Sequence, residues 1–318
     1  MKSFAICLFV LLSFSFFNIC TSVRKQSDNN NMTDGNSSLH DIPTSTNSSS
    51  EVKSNVNFSN IPNYNQIYED RNGNGNGNVI KLTEKNFVVI RGPIDGSNSA
   101  KVVNELLSKQ RESELYIYLI TNGGSVISGM EIVRTLKSLS ENKVSIKCIA
   151  DTALSMGFVI FQYCPVRYVT LTSVLMQHQL SLGVRGPLYQ INNYLDFIQS
   201  VEDEVDRHQA NRIGLAVPEF RSKIAHDWWL FGENIVKNKV ADGMINVICD
   251  FEPSLITETV QTIFGDVDLT YSSCPLARDP LQISFKDNIP SEDKEKVISL
   301  FDSSKYISDR LSVNTKSV

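Results

Sequence analysis

Between Asn86 and Asp250, apolar runs of strand length alternate with stretches whose apolar residues recur every three or four positions. This alternation constrains the fold most strongly, because strands that alternate with helices build a sheet with helices packed on it. Phe87-Val88-Val89-Ile90 reads as the first strand, with Val102, Leu106 and Leu107 on the helix that follows. Leu115 to Ile120 is a second strand, closed by Gly123-Gly124, and Met130, Val133, Leu136 and Leu139 have helical spacing. Val144 to Ile149 is a third strand, Ser155 to Phe161 starts a buried helix, and Val169 to Met176 reads as one or two strands. The longest helical pattern is Leu188, Ile191, Leu195, Ile198, Val201 and Val205, with Asp196, Glu202, Asp203 and Arg207 on its other face. Short helices near Val217 to Ala225 and Glu233 to Lys239 precede a strand from Ile245 to Cys249. The expected fold class is α/β, and residues 83–252 are the expected globular domain.

The flanks read differently. Met1-Lys2, the apolar run from Phe4 to Phe17 and the small or polar residues near Cys20 to Ser22 have the pattern of a signal peptide over residues 1–22. Ser13, Ser15 and Asn18 interrupt the run, which is short for a membrane span, so cleavage is favoured over anchoring. Residues 23–82 are rich in Asn, Ser and Gly, as in Asn72-Gly73-Asn74-Gly75-Asn76-Gly77-Asn78, and too poor in apolar side chains to offset the entropy of ordering them. A disordered linker or a transit segment is expected there, although Asp28, Asp34, Asp41 and Glu51 count against a simple transit peptide. The tract carries sequons at Asn31, Asn36, Asn47 and Asn57, triplets that arise easily by chance in so Asn-rich a stretch. Residues 253–318 form a C-terminal extension to which no role is assigned, with one amphipathic helix expected from Ser291 to Phe301 and Ser291 as its cap.

Charge and cysteines narrow the function classes. The net charge of −5 is spread over both signs with no basic stripe, which gives nucleic-acid binding no footing. The six cysteines form no CxxC pair and have no histidine at metal spacing, so no metal site is expected. Cys148 and Cys249 read as small buried hydrophobes within strands; disulfides stay open, but a core of this size does not need them.

Four windows carry candidate chemistry. Ser155 stands between a strand and an apolar helical run, where free backbone N–H groups and the helix dipole favour developing negative charge; the plainer reading is a helix cap. Thr121-Asn122-Gly123-Gly124-Ser125-Val126 follows a strand, and its two glycines let another backbone approach and let an N–H point inward; the plainer reading is an ordinary turn. His178 follows a strand, and of the other histidines only His226, beside Asp227, competes for the role of base. Neighbouring residues point apart, whereas a base and its acid must meet, so Asp227 suits a histidine from another segment; its plainer reading is a capping acid.

The order and setting of these windows resemble those of the ClpP family, the proteolytic subunit of caseinolytic protease. The resemblance runs from Val88 to about Cys249, through Gly92-Pro93-Ile94-Asp95, Asn122-Gly123-Gly124-Ser125-Val126, Ala153-Leu154-Ser155-Met156-Gly157, Met176-Gln177-His178-Gln179 and Asp227-Trp228-Trp229-Leu230-Phe231-Gly232-Glu233. It implies a ClpP/crotonase-type fold of repeated ββα units with a protruding handle helix over Leu188 to Arg212. It also implies Ser155 as nucleophile, His178 as base, Asp227 as orienting acid, and the Gly124 and Met156 N–H groups as oxyanion donors. Gly123, Ser125, Val126, Gln179 and Leu180 would line a groove that takes the substrate as an added strand. The family implies two stacked heptameric rings, homo- or hetero-oligomeric, fed with polypeptide by an ATP-using AAA+ unfoldase; the peptidase itself takes no cofactor. The family usually has proline where Asn122 and Leu180 stand, which bears on cleavage preference. Through its leader the chain is expected to enter the secretory pathway, and family logic places it in an organelle lumen such as a secondary plastid, with secretion or mitochondria as alternatives. Three rivals stay open: a non-catalytic subunit of such a ring, an acyl-CoA enzyme of the crotonase type, and a signal-peptide-peptidase-like serine protease with Lys147 or Lys143 as base.

Overall fold

The structure, a computed structural model, describes residues 79–286, 289–302 and 307. The expected leader and the expected linker up to residue 78 lie outside the described residues. The expected linker boundary at residue 82 is corrected: Val79–Leu82 forms strand β1, parallel to β8 (Asn246–Cys249). Its alternation buries Ile80 and Leu82 and leaves Val79 and Lys81 exposed, which a polar tract ending four residues later would not do.

The central sheet runs in the order β2 (Phe87–Arg91), β3 (Glu114–Thr121), β4 (Ser145–Leu154), β5 (Val166–Gln177), β6 (Trp228–Phe231). The first four strands are parallel, β6 is antiparallel to β5, and the short β7 (Gly243–Met244) also pairs with β5. Helices α1 (Gly96–Ser108), α2 (Val126–Glu141) and α3 (Met156–Tyr163) are the crossovers. The near-continuous apolar runs of β3 and β4 have a physical reason: both faces of these strands are covered. Val88, Ile90, Ile117, Leu119, Cys148 and Ala150 belong to the large core shared with the helices. On the other face Phe87, Tyr116, Tyr118, Ile120 and Ile149 pack with Ile80 and Leu82 of β1 and with Ile245.

Helix α4 (Leu188–Ile213) follows a ten-residue connection and ends on Gly214 in the left-handed conformation. Only its C-terminal half is anchored, through Val205, Gln209, Ala210 and Ile213, while Leu188 and Tyr189 at its start are 69% and 82% exposed. Helices α5 (Val217–Ile224) and α6 (Glu233–Lys237) flank β6. None of the helices among the described residues is long and apolar enough to cross a membrane.

Beyond residue 250, where periodicity fades, β9 (Leu255–Thr262), β10 (Gly265–Ser272) and β11 (Gln282–Phe285) form an antiparallel sheet. Val267, Leu269 and Tyr271 are buried on β10 together with Val297 of α7 (Ser291–Leu300). The expected helix is present, but its cap is Pro290 and Ser291 is its first residue.

The cysteines take the alternative that the sequence left open. Cys148 is buried as expected, yet it is bonded to Cys164 at the end of α3, and Cys249 is bonded to Cys274 after β10. Partners 16 and 25 residues apart are brought to a Cα separation of 6.0 Å by tertiary packing, which no spacing motif announces. Replacing Cys148 and Cys164 together by alanine is expected to lower the unfolding free energy by about 3 kcal/mol, the entropy of a closed loop of this size. Urea unfolding checks this, and equal midpoints for the oxidised parent and the double variant would contradict the bridge.

Candidate active site

The site lies at the carboxyl ends of the parallel strands, where loops from neighbouring strands converge. Strand β4 leaves the sheet at Leu154 and α3 begins at Met156, so Ser155 makes the whole turn. Its φ of 54° and ψ of −118° lie in a region that side chains other than glycine rarely occupy. The turn is pinned by Ser155 N–H donating to Met176 O at 2.8 Å and by Val159 N–H donating to Ser155 O at 3.2 Å. The hydroxyl makes no capping bond to α3, which removes the plainer reading of this serine. Instead Ser155 Oγ lies 2.9 Å from Nε2 of His178. Both residues are half-buried.

His178 follows the end of β5, and its placement is fixed from behind. Gln177 is buried; its Oε1 accepts from His178 N–H at 3.3 Å, and its Nε2 donates to Gln209 Oε1 of α4 at 2.6 Å. This amide pair, which sequence reasoning missed, ties His178 to the anchored half of the long helix. An amide at each end, 32 residues apart, carries no local signal of it.

Asp227 precedes β6 with a φ of 52°. The antiparallel register ends with Gln177 opposite Trp228, so His178 and Asp227 are the next facing pair along the two chains. Trp228 holds this edge in place, with its ring 6.3 Å from Phe158 of α3 and 6.4 Å from Phe220 of α5. The competitor His226 and the remaining described histidine, His208, sit elsewhere. His226 is exposed, and His208 stacks on Tyr163 at 3.6 Å with Nε2 at 3.2 Å from Gln162 O. Burial there depresses the basicity of His208.

The glycine pair closes the site from the β3 side. A Cβ on Gly123 would lie 2.7 Å from Ser155 Cβ and 2.9 Å from Met156 N, so only glycine lets the two turns touch. Gly123 and Gly124 both have positive φ, of 90° and 149°. Ile94 N–H donates to Gly123 O and Ser125 N–H donates to Ile94 O, the pattern of a parallel bridge in which Gly124 turns its own N–H to the opposite side. Thr121 sets the loop, its hydroxyl donating to Gly92 O at 2.6 Å and accepting from Gly123 N–H at 3.1 Å. Met156 is the first residue of α3, so its N–H has no partner within the helix. Among the described residues neither Gly124 N–H nor Met156 N–H is taken up by a protein acceptor. The site therefore combines a hydroxyl against an imidazole with two unengaged N–H groups, the parts needed for acyl transfer.

The remaining expected site residues are placed as follows. The Ser125 hydroxyl caps α2, accepting from Ser128 N–H at 3.3 Å, and the side chain of Val126 packs on the core. Of that pair only the backbone borders the glycine loop. Gln179 is exposed and Leu180 partly so, both on the irregular segment after His178. Lys147 is paired with Glu114 and precedes Ser155 by eight residues in a strand, about 25 Å at the ordinary strand rise. It is too remote to act as the base. None of the His, Cys, Asp and Glu side chains among the described residues form a group of three or more that could hold a metal ion.

Comparison with known proteins gives the same segment a relative. Residues 72–250 match the family model for Clp protease. The chain is 23% identical over 177 residues to the ATP-dependent Clp protease proteolytic subunit of Streptococcus suis (strain 98HAH33), covering 54% of this chain and 87% of that protein. It is also 23% identical over 173 residues to the ATP-dependent Clp protease proteolytic subunit 1 of Prochlorococcus marinus (strain NATL2A), covering 52% and 86%.

The strained turn has a measurable consequence. Ser155→Gly is expected to be more stable than Ser155→Ala by about 1 kcal/mol. Glycine relieves a backbone strain of about 1–3 kcal/mol, part of which is offset by its looser unfolded chain. Thermal or urea unfolding of the two variants checks this; an alanine variant as stable as the glycine one would show that the turn is not strained.

Proposed function

The chain belongs to the Clp protease family, and from that premise we propose that it is a catalytically active serine endopeptidase subunit. The observation that carries this reading is the 2.9 Å approach of Ser155 Oγ to His178 Nε2, with the hydroxyl released from helix capping. His178 takes the hydroxyl proton as Ser155 Oγ attacks a peptide carbonyl. The resulting oxyanion lies against the N–H groups of Gly124 and Met156, preorganised where charge develops. Asp227, facing His178 across the β5–β6 register, holds the imidazole in the tautomer that presents Nε2 to the serine and stabilises its cation. The protonated imidazole then gives its proton to the leaving amine. Water, activated by the same histidine, releases the acyl group.

Substrate binds in extended form between the glycine loop and the segment after His178, so main-chain hydrogen bonds supply most of the affinity. The subunit assembles into stacked rings through α4, whose N-terminal half presents Leu188, Tyr189, Leu195 and Phe197 to solvent in the single chain. A Clp-type ATPase delivers unfolded polypeptide to the enclosed serines. The apolar leader and the polar tract behind it suit delivery through the secretory route to an organelle that holds this ATPase.

Hydrolysis of a short fluorogenic peptide by the assembled protein tests the reading. Ser155→Ala and His178→Ala are each expected to lower turnover by on the order of 10⁴- to 10⁶-fold. Parent and variants that are equally inert after assembly would overturn it in favour of a structural subunit.

A further inference from the structure

Strand β4 carries an irregularity four residues before Ser155. Ala150 pairs with Leu119 on one side and Val169 on the other, while Thr152 pairs with Ile120 and Val174. Asp151 is thus the extra residue of a bulge against β3, while on the other side β5 makes the longer detour, residues 170–173 lying between the two pairs; this irregularity sets the direction in which β4 reaches the turn. The side chain of Asp151 is only 8% exposed. A carboxylate in that position requires a charge partner. The partner comes from the extension beyond residue 250: Arg278 donates from Nε to Oδ2 at 3.0 Å and from Nη2 to Oδ1 at 2.7 Å. Two parallel bonds fix orientation as well as charge.

The segment that brings Arg278 is itself tied to the domain. Cys274 is bonded to Cys249, the Arg91 guanidinium of β2 lies 4.3 Å over the ring of Tyr271, and Arg91 Nη2 donates to Ala277 O at 3.4 Å. The charged and titratable groups around the pair are Tyr118 of β3 on the carboxylate side, Asp279 beside Arg278, and Arg91, which interacts with Tyr118, Tyr271 and Asp279. Among these Arg278 is the cation that bonds the carboxylate.

We propose that Arg278 is a positioning residue for the active site: by neutralising Asp151 at the bulge, the C-terminal extension holds the end of β4 so that Ser155 meets His178. The proposal rests on the serine-peptidase reading for its catalytic consequence. Without Arg278 the buried carboxylate is left unpaired, and β4 moves towards water to relieve it. Movement of β4 would loosen the Ser155–Met176 bond and draw Oγ away from the imidazole.

The test compares Arg278→Gln, Asp151→Asn and the double variant of the purified protein. Arg278→Gln is expected to lower kcat for a fluorogenic peptide about tenfold to a hundredfold near pH 8.5, the scale of a small displacement of a reacting atom, with KM little changed. Adding Asp151→Asn, which removes the buried charge, should restore kcat. Hydrogen exchange gives a readout independent of catalysis. Residues 151–157 should lose protection in Arg278→Gln and regain it in the double variant, while α1 stays as protected as in the parent. If the parent itself cleaves no peptide, the peptidase reading fails and the exchange pattern alone judges Arg278. Parent-like exchange in Arg278→Gln, a double variant no better than the single, or equal loss of protection in α1 would each overturn the positioning role.

Discussion

The turn at Ser155 is the constraint on which the rest of the site depends. One residue must end a buried parallel strand, start a buried helix and keep its hydroxyl free of both. The backbone achieves this by adopting a positive φ of 54°, a conformation that the surrounding structure has to enforce. Enforcement comes from three sides. Met176 O of β5 holds the Ser155 amide, the first turn of α3 holds its carbonyl, and Gly123 closes in so tightly that no side chain fits between the loops. The bridge between Cys148 and Cys164 brackets the same strand and helix covalently. Ser155 thus sits in a frame that is packed, hydrogen-bonded and cross-linked at once.

His178 and Asp227 inherit their positions from the sheet. Where β5 and β6 stop pairing at Gln177 and Trp228, the next residues on each chain are His178 and Asp227. Register thereby does for this pair what the strained turn does for the serine. Gln177 and Gln209 couple that edge to α4, so the helix that projects from the domain is fastened directly behind the imidazole.

Much of this was legible in the sequence, and the limits have physical causes. The helices and the buried parallel strands announced themselves because periodicity is a local property, as in Met130, Val133, Leu136 and Leu139, or the run from Leu115 to Ile120. The serine, histidine and glycine windows were legible together through their order between those elements. Strand β6 was hidden, because Trp228-Trp229-Leu230-Phe231 is too short and too uniformly apolar to show a period. The extension was hidden for a similar reason. Its strand β9 is mostly exposed and polar, so its ladder to β10 leaves little trace in hydropathy. Pairings such as Cys148 with Cys164, Gln177 with Gln209 and Asp151 with Arg278 are made by tertiary geometry, and a single chain read from end to end gives no sign of them.

The central claim is that Ser155 is an activated nucleophile whose reactivity depends on His178. Intact-mass and peptide-mapping analysis after treatment with a serine-reactive fluorophosphonate tests it most directly. The account predicts one adduct per chain, mapped to Ser155 and absent when His178 is replaced by alanine. An unlabelled protein, or an adduct on Ser155 that forms equally fast without the imidazole, would contradict it.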